Sequence, residues 1–190
     1  MQFQTQSDRL PISLSTPLLN RVYQFARQAH KGQVRKYTGE SYVRHCVQVA
    51  DLVGRVSQDE ELKAAALLHD TVEDTGVMFV DIDRRFGSRI CDLVGQVTDV
   101  SIFHGTGLNR RDRKKMDREH LSYSTAAGAT LKLADLIDNT QSITRHDPKF
   151  AAVYMREKAQ LLEVLRHGHP LLLTIAENLV DDYHKGHNND

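Results

Sequence analysis

The chain has too few cysteines, too little net charge and too short apolar runs for several kinds of protein. Its 190 residues include two cysteines, Cys46 and Cys91, in apolar, helix-like surroundings and outside any C-x-x-C or Cys/His spacing that would suggest zinc. They read as two buried free thiols. With 25 basic and 25 acidic residues the formal charge is zero, which removes any global argument for a nucleic-acid coat or an acidic-membrane binder. A charged ligand must therefore be met by a local patch. No window approaches the apolar length that spans a bilayer, and the start, "MQFQTQSDRLPISLSTP", lacks a basic region followed by an apolar run. A soluble cytoplasmic protein is expected. No strand pair, hairpin signal or internal repeat is found, which makes the fold class all-α.

What is present is helical punctuation. Residues 1–15 are polar and aperiodic and are expected to form a flexible N-terminal segment. Thr16-Pro17 then starts a helix that runs to about His30, where Lys31-Gly32 stops it. The stretch "KGQVRKYTGES" reads as a basic loop, and Tyr42 to Val56 returns to helical spacing with His45 inside it. Ser57 with Asp59, Glu60 and Glu61 opens a third helix, carried by alanine and leucine to about Asp74. The short segment "FVDIDRRFG" precedes a helix from about Ser88 to Thr98, and "SIFHGTG" is a loop. The run "NRRDRKKMDREHL" reads equally as a solvated helix face or a substrate-facing patch. Helices over about Ala126 to Ile143, Lys149 to Arg166 and Leu171 to Tyr183 complete one domain over 16–184, before a polar tail over 185–190.

The chemistry gathers in "ALLHDTVEDT". Residues four apart on a helix share a face, so Glu73 stacks near His69 and Asp74 near Asp70. One turn thus displays an imidazole and three carboxylates, whose repulsion a metal ion would relieve. Asp135, in "KLADLIDN", lies in an apolar helical stretch with Asn139 one turn on, and His45 adds an imidazole from another helix. Together His45, His69, Asp70 and Asp135 form a mixed nitrogen and oxygen set that suits manganese or iron with room for water better than a closed zinc site. Taken singly, a helical histidine such as His45 is more often a packed or surface residue than a ligand, and Asp135 reads equally as a cap or ion-pair partner. His30, His104, His120, His146 and the tail histidines read as ordinary packed or surface residues.

These residues resemble the HD superfamily of metal-dependent phosphohydrolases, and the longer pattern is similar to the hydrolase domain of RelA/SpoT-type enzymes and to free-standing small alarmone hydrolases. "AHKGQVRK", "YVRHCVQVA", "AALLHDTVEDT", "FGSRICDLVGQVTD" and "KLADLIDN" follow the family order across roughly residues 20 to 145. The resemblance implies an HD-domain helical bundle in which His45, His69, Asp70 and Asp135 hold one manganese ion. It implies hydrolysis of the 3′-pyrophosphate of ppGpp or pppGpp to GDP or GTP and pyrophosphate. Glu73 first and Asp74 second are the candidates to orient or deprotonate the attacking water. Arg35, Lys36, Arg113 and Lys114 are assigned to substrate phosphates, and Asn139 to the substrate or the metal-bound water.

Three departures from the family pattern stand out. Cys46 follows His45 where relatives have proline, which alters helix entry rather than ligation. Leu136 replaces a lysine or arginine, and Asp138 precedes Asn139, so a lost cation and a gained carboxylate bear on which nucleotide is taken. The length leaves no room for synthetase and regulatory domains, so hydrolysis alone is expected. A small nucleotide is the expected partner, with no nucleic acid or membrane, and apolar helix faces would let two copies pair as a homodimer. The alternatives are a (p)ppApp-preferring hydrolase, another HD phosphohydrolase acting on nucleotides or NADPH with release of orthophosphate, and a catalytically silent nucleotide-binding module.

Overall fold

Thr16 opens the first helix as the sequence predicts. Its hydroxyl accepts from the Leu19 amide at 3.2 Å, and Pro17 follows at a position where its missing N–H has no helical partner to lose. A computed structural model describes residues 11, 14–105 and 107–187 of the chain. The predicted N-terminal segment lies mostly outside these residues; within it, Leu14 is buried in the core.

The elements run α1 Pro17–Ala29, α2 Val43–Val56, α3 Glu60–Leu68, α4 Thr71–Asp74, α5 Phe79–Phe86 and α6 Ser88–Val97. A 3-10 turn over Val100–His104 leads to α7 Arg110–Ser122, α8 Ala126–His146, α9 Pro148–Val164 and α10 Pro170–His187. The class is all-α: among the described residues, strand-like pairing is confined to an isolated bridge between Val34 and Ser41. None of the described helices is long and apolar enough to cross a membrane.

The core forms around α3. Leu62 through Leu68 are all buried, and a helix that is apolar nearly all round belongs inside a bundle. Its alanines let α1, α2, α6 and α8 pack against it. The expected single helix to Asp74 is instead broken after Leu68. The Thr71 hydroxyl donates to the Leu68 carbonyl at 2.7 Å, and Asp70 relaxes to φ −95°, ψ −3°. Helical periodicity continues through this point, so the pattern gave no sign of the break. Its consequence is chemical, because the chain pivots at His69 and Asp70 and turns both side chains toward one space.

The short segment that precedes the Ser88 helix is itself helical and forms α5. It is capped by Asp81, which accepts from the Met78 amide at 3.0 Å, and is separated from α6 by Gly87 at φ 96°. Gly168 brings the α9–α10 corner against α8: a Cβ there would lie 2.6 Å from Leu133 Cδ1 and 3.1 Å from the Ala129 backbone carbon. The His169 amide then donates to Thr130 Oγ1 at 2.9 Å. Helix α10 continues to His187, so the start of the predicted polar tail is helical, while 188–190 lie outside the described residues. Cys46 is buried as expected, whereas Cys91 is half-buried and donates to the Phe79 carbonyl at 3.3 Å.

Candidate metal centre and adjoining cavity

Three elements bring the predicted ligands together: α2 supplies His45, the pivot after α3 supplies His69 and Asp70, and α8 supplies Asp135. His45 Nε2 lies 3.2 Å from His69 Nε2, 3.4 Å from Asp70 Oδ2 and 3.3 Å from Asp135 Oδ1. His69 Nε2 lies 3.1 Å from Asp70 Oδ2 and 3.6 Å from Asp135 Oδ1. All four residues are buried or nearly so.

The other ring nitrogens decide what this cluster needs. His69 Nδ1 is 2.8 Å from the Ala66 carbonyl, which can only accept, so Nδ1 carries the proton. His45 Nδ1 donates to Asp138 Oδ2 at 2.6 Å. In the neutral rings both Nε2 atoms therefore present lone pairs, facing each other and two carboxylates. Four acceptors converge on one point, and a cation must balance them. Ligand atoms about 2.1 Å from a common ion and at right angles lie about 3 Å apart, close to the spacings found, so the donor set fits a divalent metal.

Without metal, protons fill that role. Burial pushes the His45 imidazolium down, but Asp135, Asp138 and Asp70 outweigh it and hold the group well above its ordinary value. For His69, burial again opposes, and Asp70 and Asp135 lift it to about 9. Burial opposes the charge on Asp70 too, yet His69 and His45 keep it well below the usual carboxylate range. Asp135 is held low in the same way, against burial, by Lys132 and the two histidines.

The surroundings supply donors to the ligand carboxylates. Tyr42 donates to Asp70 Oδ2 at 2.7 Å, Asn139 Nδ2 to Asp135 Oδ1 at 2.6 Å, and Lys132 Nζ pairs with Asp135 Oδ2 at 3.0 Å. Asp135 is thus both an ion-pair partner and a member of the cluster. Arg35 comes from the basic loop, where its amide donates to Glu40 O at 2.8 Å across a turn with Gly39 at φ 70°. Its guanidinium bridges Asn139 Oδ1 at 3.2 Å and Asp138 Oδ2 at 3.1 Å, so Asp138 accepts from His45 on one side and Arg35 on the other. Glu73 accepts from the Asp99 amide at 2.7 Å. Burial, opposed by Lys132 and helped by Asp99 and Asp70, raises its carboxyl to about 7. Asp74 is more exposed; burial and Asp70 raise its carboxyl, and its carbonyl accepts from Gln33 Nε2 at 2.7 Å.

A cavity of about 340 Å³ opens beside Asp135 and Asn139, walled by α7, α8 and α9. Lys114 lines it, paired with Asp99 at 2.6 Å, as does Arg110, paired with Glu157 at 2.7 Å. In the charged run Lys114 and Arg118 line the cavity, while Arg111 is exposed and joins Lys115 in a surface groove that shares Arg110, Lys114 and Arg118 with the cavity. Two predicted residues do not join the cluster. Lys36, with 74% of its side chain exposed, reaches Asp147 at 3.4 Å, and Arg113 donates to the Leu108 carbonyl at 2.6 Å.

Sequence reasoning missed Tyr42, Lys132 and Lys158, and tied Asp138 to nucleotide choice rather than to His45. Lys132 had a signal, since it stands three residues before Asp135 on one helix face. Lys158 had one too, as it interrupts the buried stripe Ala151, Met155 and Leu162.

Comparison with known proteins adds to this geometry. A family profile described as an HD domain matches residues 22–168. The chain is 36% identical over 128 residues to the guanosine-3′,5′-bis(diphosphate) 3′-pyrophosphohydrolase MESH1 of Drosophila melanogaster, covering 66% of this chain and 69% of that protein. It is 32% identical over 155 residues to the bifunctional (p)ppGpp synthase/hydrolase SpoT of Escherichia coli, covering 78% of this chain but 21% of that protein. A solved structure of a metazoan ortholog of SpoT, described as hydrolysing ppGpp, superposes with a TM-score of 0.79 at 27% identity, over 88% of this chain and 96% of that one.

Proposed function

The chain belongs to the HD-domain family, and from that premise we propose that it hydrolyses the 3′-pyrophosphate of (p)ppGpp-type nucleotides to GDP or GTP and pyrophosphate. The observation that carries this reading is the convergence of four acceptor atoms from His45, His69, Asp70 and Asp135, with the Glu73 carboxyl one turn away and raised to about 7. The relatives named for this reaction support it.

The metal that would suit this donor set is manganese, and His45, His69, Asp70 and Asp135 would hold it. A divalent cation bound there acidifies water and draws charge from a phosphoryl oxygen. Glu73 takes a proton from the attacking water as the bond between phosphorus and the ribose 3′ oxygen breaks, and a proton returns to that oxygen, so that the nucleotide diphosphate and pyrophosphate separate. A carboxyl near neutrality suits both transfers. Asp74 is the reserve acceptor on the same turn. Lys132 holds its ammonium charged beside Asp135, Asp99 and Glu73, although burial opposes it, and contributes fixed positive charge at the mouth of the cluster.

Among the residues assigned to substrate, Lys114 and Asn139 have the support of lining the cavity. Arg35 acts from behind, through Asp138 and Asn139. Lys36 and Arg113 would reach substrate only by leaving their present partners. The same reading implies a cytoplasmic enzyme whose partner is a small nucleotide.

Metal-stripped protein resupplied with manganese should release pyrophosphate from ppGpp. Orthophosphate as the phosphorus product would sink the reading and favour a nucleotide or NADPH phosphohydrolase; binding without turnover under every divalent metal would leave a nucleotide-binding module.

A further inference from the structure

Among the described residues, one buried side-chain polar atom has no hydrogen-bond partner: His30 Nε2. His30 caps the C-terminal end of α1 and is 1% exposed. Its other ring nitrogen, Nδ1, lies 2.7 Å from Gln33 Oε1, and Gln33 Nε2 in turn donates to the Asp74 carbonyl at 2.7 Å. These two contacts fix the protons. A carbonyl can only accept, so the amide nitrogen of Gln33 faces Asp74 and its oxygen faces His30. Nδ1 must then carry the ring proton, which leaves Nε2 with a buried lone pair and no donor to meet it. An acceptor left in that state costs about 1–3 kcal/mol. Stability does not account for a histidine here, since a hydrocarbon ring would fill the same space without that cost. What a hydrocarbon ring lacks is the donor toward Gln33.

The far end of this chain of contacts shows what the donor achieves. Helix α4 is a single turn, Thr71–Asp74, too short to sustain itself, and its last carbonyls have no helical partners. Gln33 takes the Asp74 carbonyl from a position 41 residues away in sequence. The same turn carries Glu73, whose carboxylate accepts from the Asp99 amide at 2.7 Å. Glu73 is thus held at its head by Asp99 and at its backbone through Gln33. Gly32, at φ 84°, turns the chain back so that the Gln33 amide donates to the His30 carbonyl at 3.0 Å, which brings the Gln33 side chain within reach of the ring. The His30 ring also lies against Tyr42, with centroids 4.9 Å apart and planes inclined by 30°. A phenyl ring would keep that second contact, so substitution separates the two.

We propose that His30 is a positioning residue: by orienting the Gln33 amide onto the Asp74 carbonyl, it holds the α4 turn, and with it the Glu73 carboxylate, in place. The part that Glu73 plays rests on the function proposed above, whereas the fixing of the turn is independent of the reaction that occurs there.

The test compares His30→Phe, His30→Asn and Gln33→Leu in the manganese-loaded full chain, with folding checked by circular dichroism. Phenylalanine keeps a ring against Tyr42 and removes the donor, while asparagine removes the ring and offers an amide N–H in place of Nδ1. Gln33 is partly exposed, so its replacement leaves the core intact. Two quantities are read: kcat and KM for pyrophosphate release from ppGpp, and NMR-detected exchange of the Asp74 amide, which donates to the Asp70 carbonyl at 2.9 Å. His30→Phe and Gln33→Leu are each expected to lower kcat about tenfold with KM within about twofold, and to speed Asp74 exchange at least about threefold. Combining the two should do no more than either alone, and His30→Asn should return both readings to within about twofold of wild type. Either reading left at its wild-type value in folded His30→Phe overturns the proposal, as does an equal loss in His30→Asn or an additive double variant. Should His30→Phe fail to fold, unchanged Asp74 exchange in Gln33→Leu overturns it instead. If wild type releases no pyrophosphate, the proposed reaction fails, and Asp74 exchange alone decides whether His30 fixes the turn.

Discussion

Replacing Lys158 with methionine keeps the length and apolar stem of the side chain and removes an ammonium that has 0% exposure. Burial lowers that ammonium from 10.5 to about 7, which at about 1.36 kcal/mol per pH unit corresponds to about 5 kcal/mol. The folded pKa lies below the unfolded one, so the unfolded chain binds more protons between about pH 7 and pH 10.5. Wild-type stability therefore rises with pH across that window, and the penalty is complete below it. Losing the bond to Thr140 gives back about 1 kcal/mol, which sets a ceiling near 4 kcal/mol. The variant is expected to be more stable by about 2–4 kcal/mol at pH 7, with a melting temperature roughly 4–16 °C higher at about 2–4 °C per kcal/mol. Urea unfolding at pH 6, 7.5 and 9 is the assay, and the advantage should shrink by about 3 kcal/mol between the extremes. A less stable variant, or an advantage unchanged with pH, would refute the assignment of an uncompensated buried ammonium.

Other residues give equally definite outcomes. Asp138→Asn keeps an acceptor for His45 but removes its charge, so manganese affinity measured by chelator competition should fall about tenfold or more; unchanged affinity would remove Asp138 from the metal centre. Glu73→Gln should lower kcat by about 10²-fold or more with little effect on KM. In the wild type the Glu73 carboxyl must be deprotonated to act, so kcat should rise as pH climbs through about 7 and level off above it; a flat profile there contradicts its role. Gly168→Ala should destabilise the fold by about 1–3 kcal/mol in urea melts, because the added methyl meets Leu133 and the α8 backbone; a neutral result would show that the α9–α10 corner can move away.

Much of the site was legible because it is local in sequence. His69, Asp70, Glu73 and Asp74 fall within six residues, and their crowding signals a cation whatever the tertiary structure. Asp135 and Asn139 share a helix face, so their proximity followed from spacing alone. The break after Leu68 was not legible, since apolar spacing runs through it and the deciding contact is one hydroxyl on one carbonyl. Asp138 could be noticed as an extra carboxylate, but its bond to His45 joins positions 93 residues apart and only packing of α2 on α8 creates it. Lys36 and Arg113 show the opposite limit: adjacency to Arg35 and Lys114 does not carry direction, because neighbouring side chains on these elements leave by different faces.

The hydrolytic function requires that the acceptors of His45, His69, Asp70 and Asp135 enclose a divalent cation. We would strip the protein with chelator, titrate it with manganese and follow free Mn²⁺ by electron paramagnetic resonance, alongside Asp70→Ala. One tightly bound ion per chain, lost in the variant, is the predicted result. No tight binding in the wild type, or equal binding in Asp70→Ala, would contradict the metal centre and the hydrolytic reading built on it.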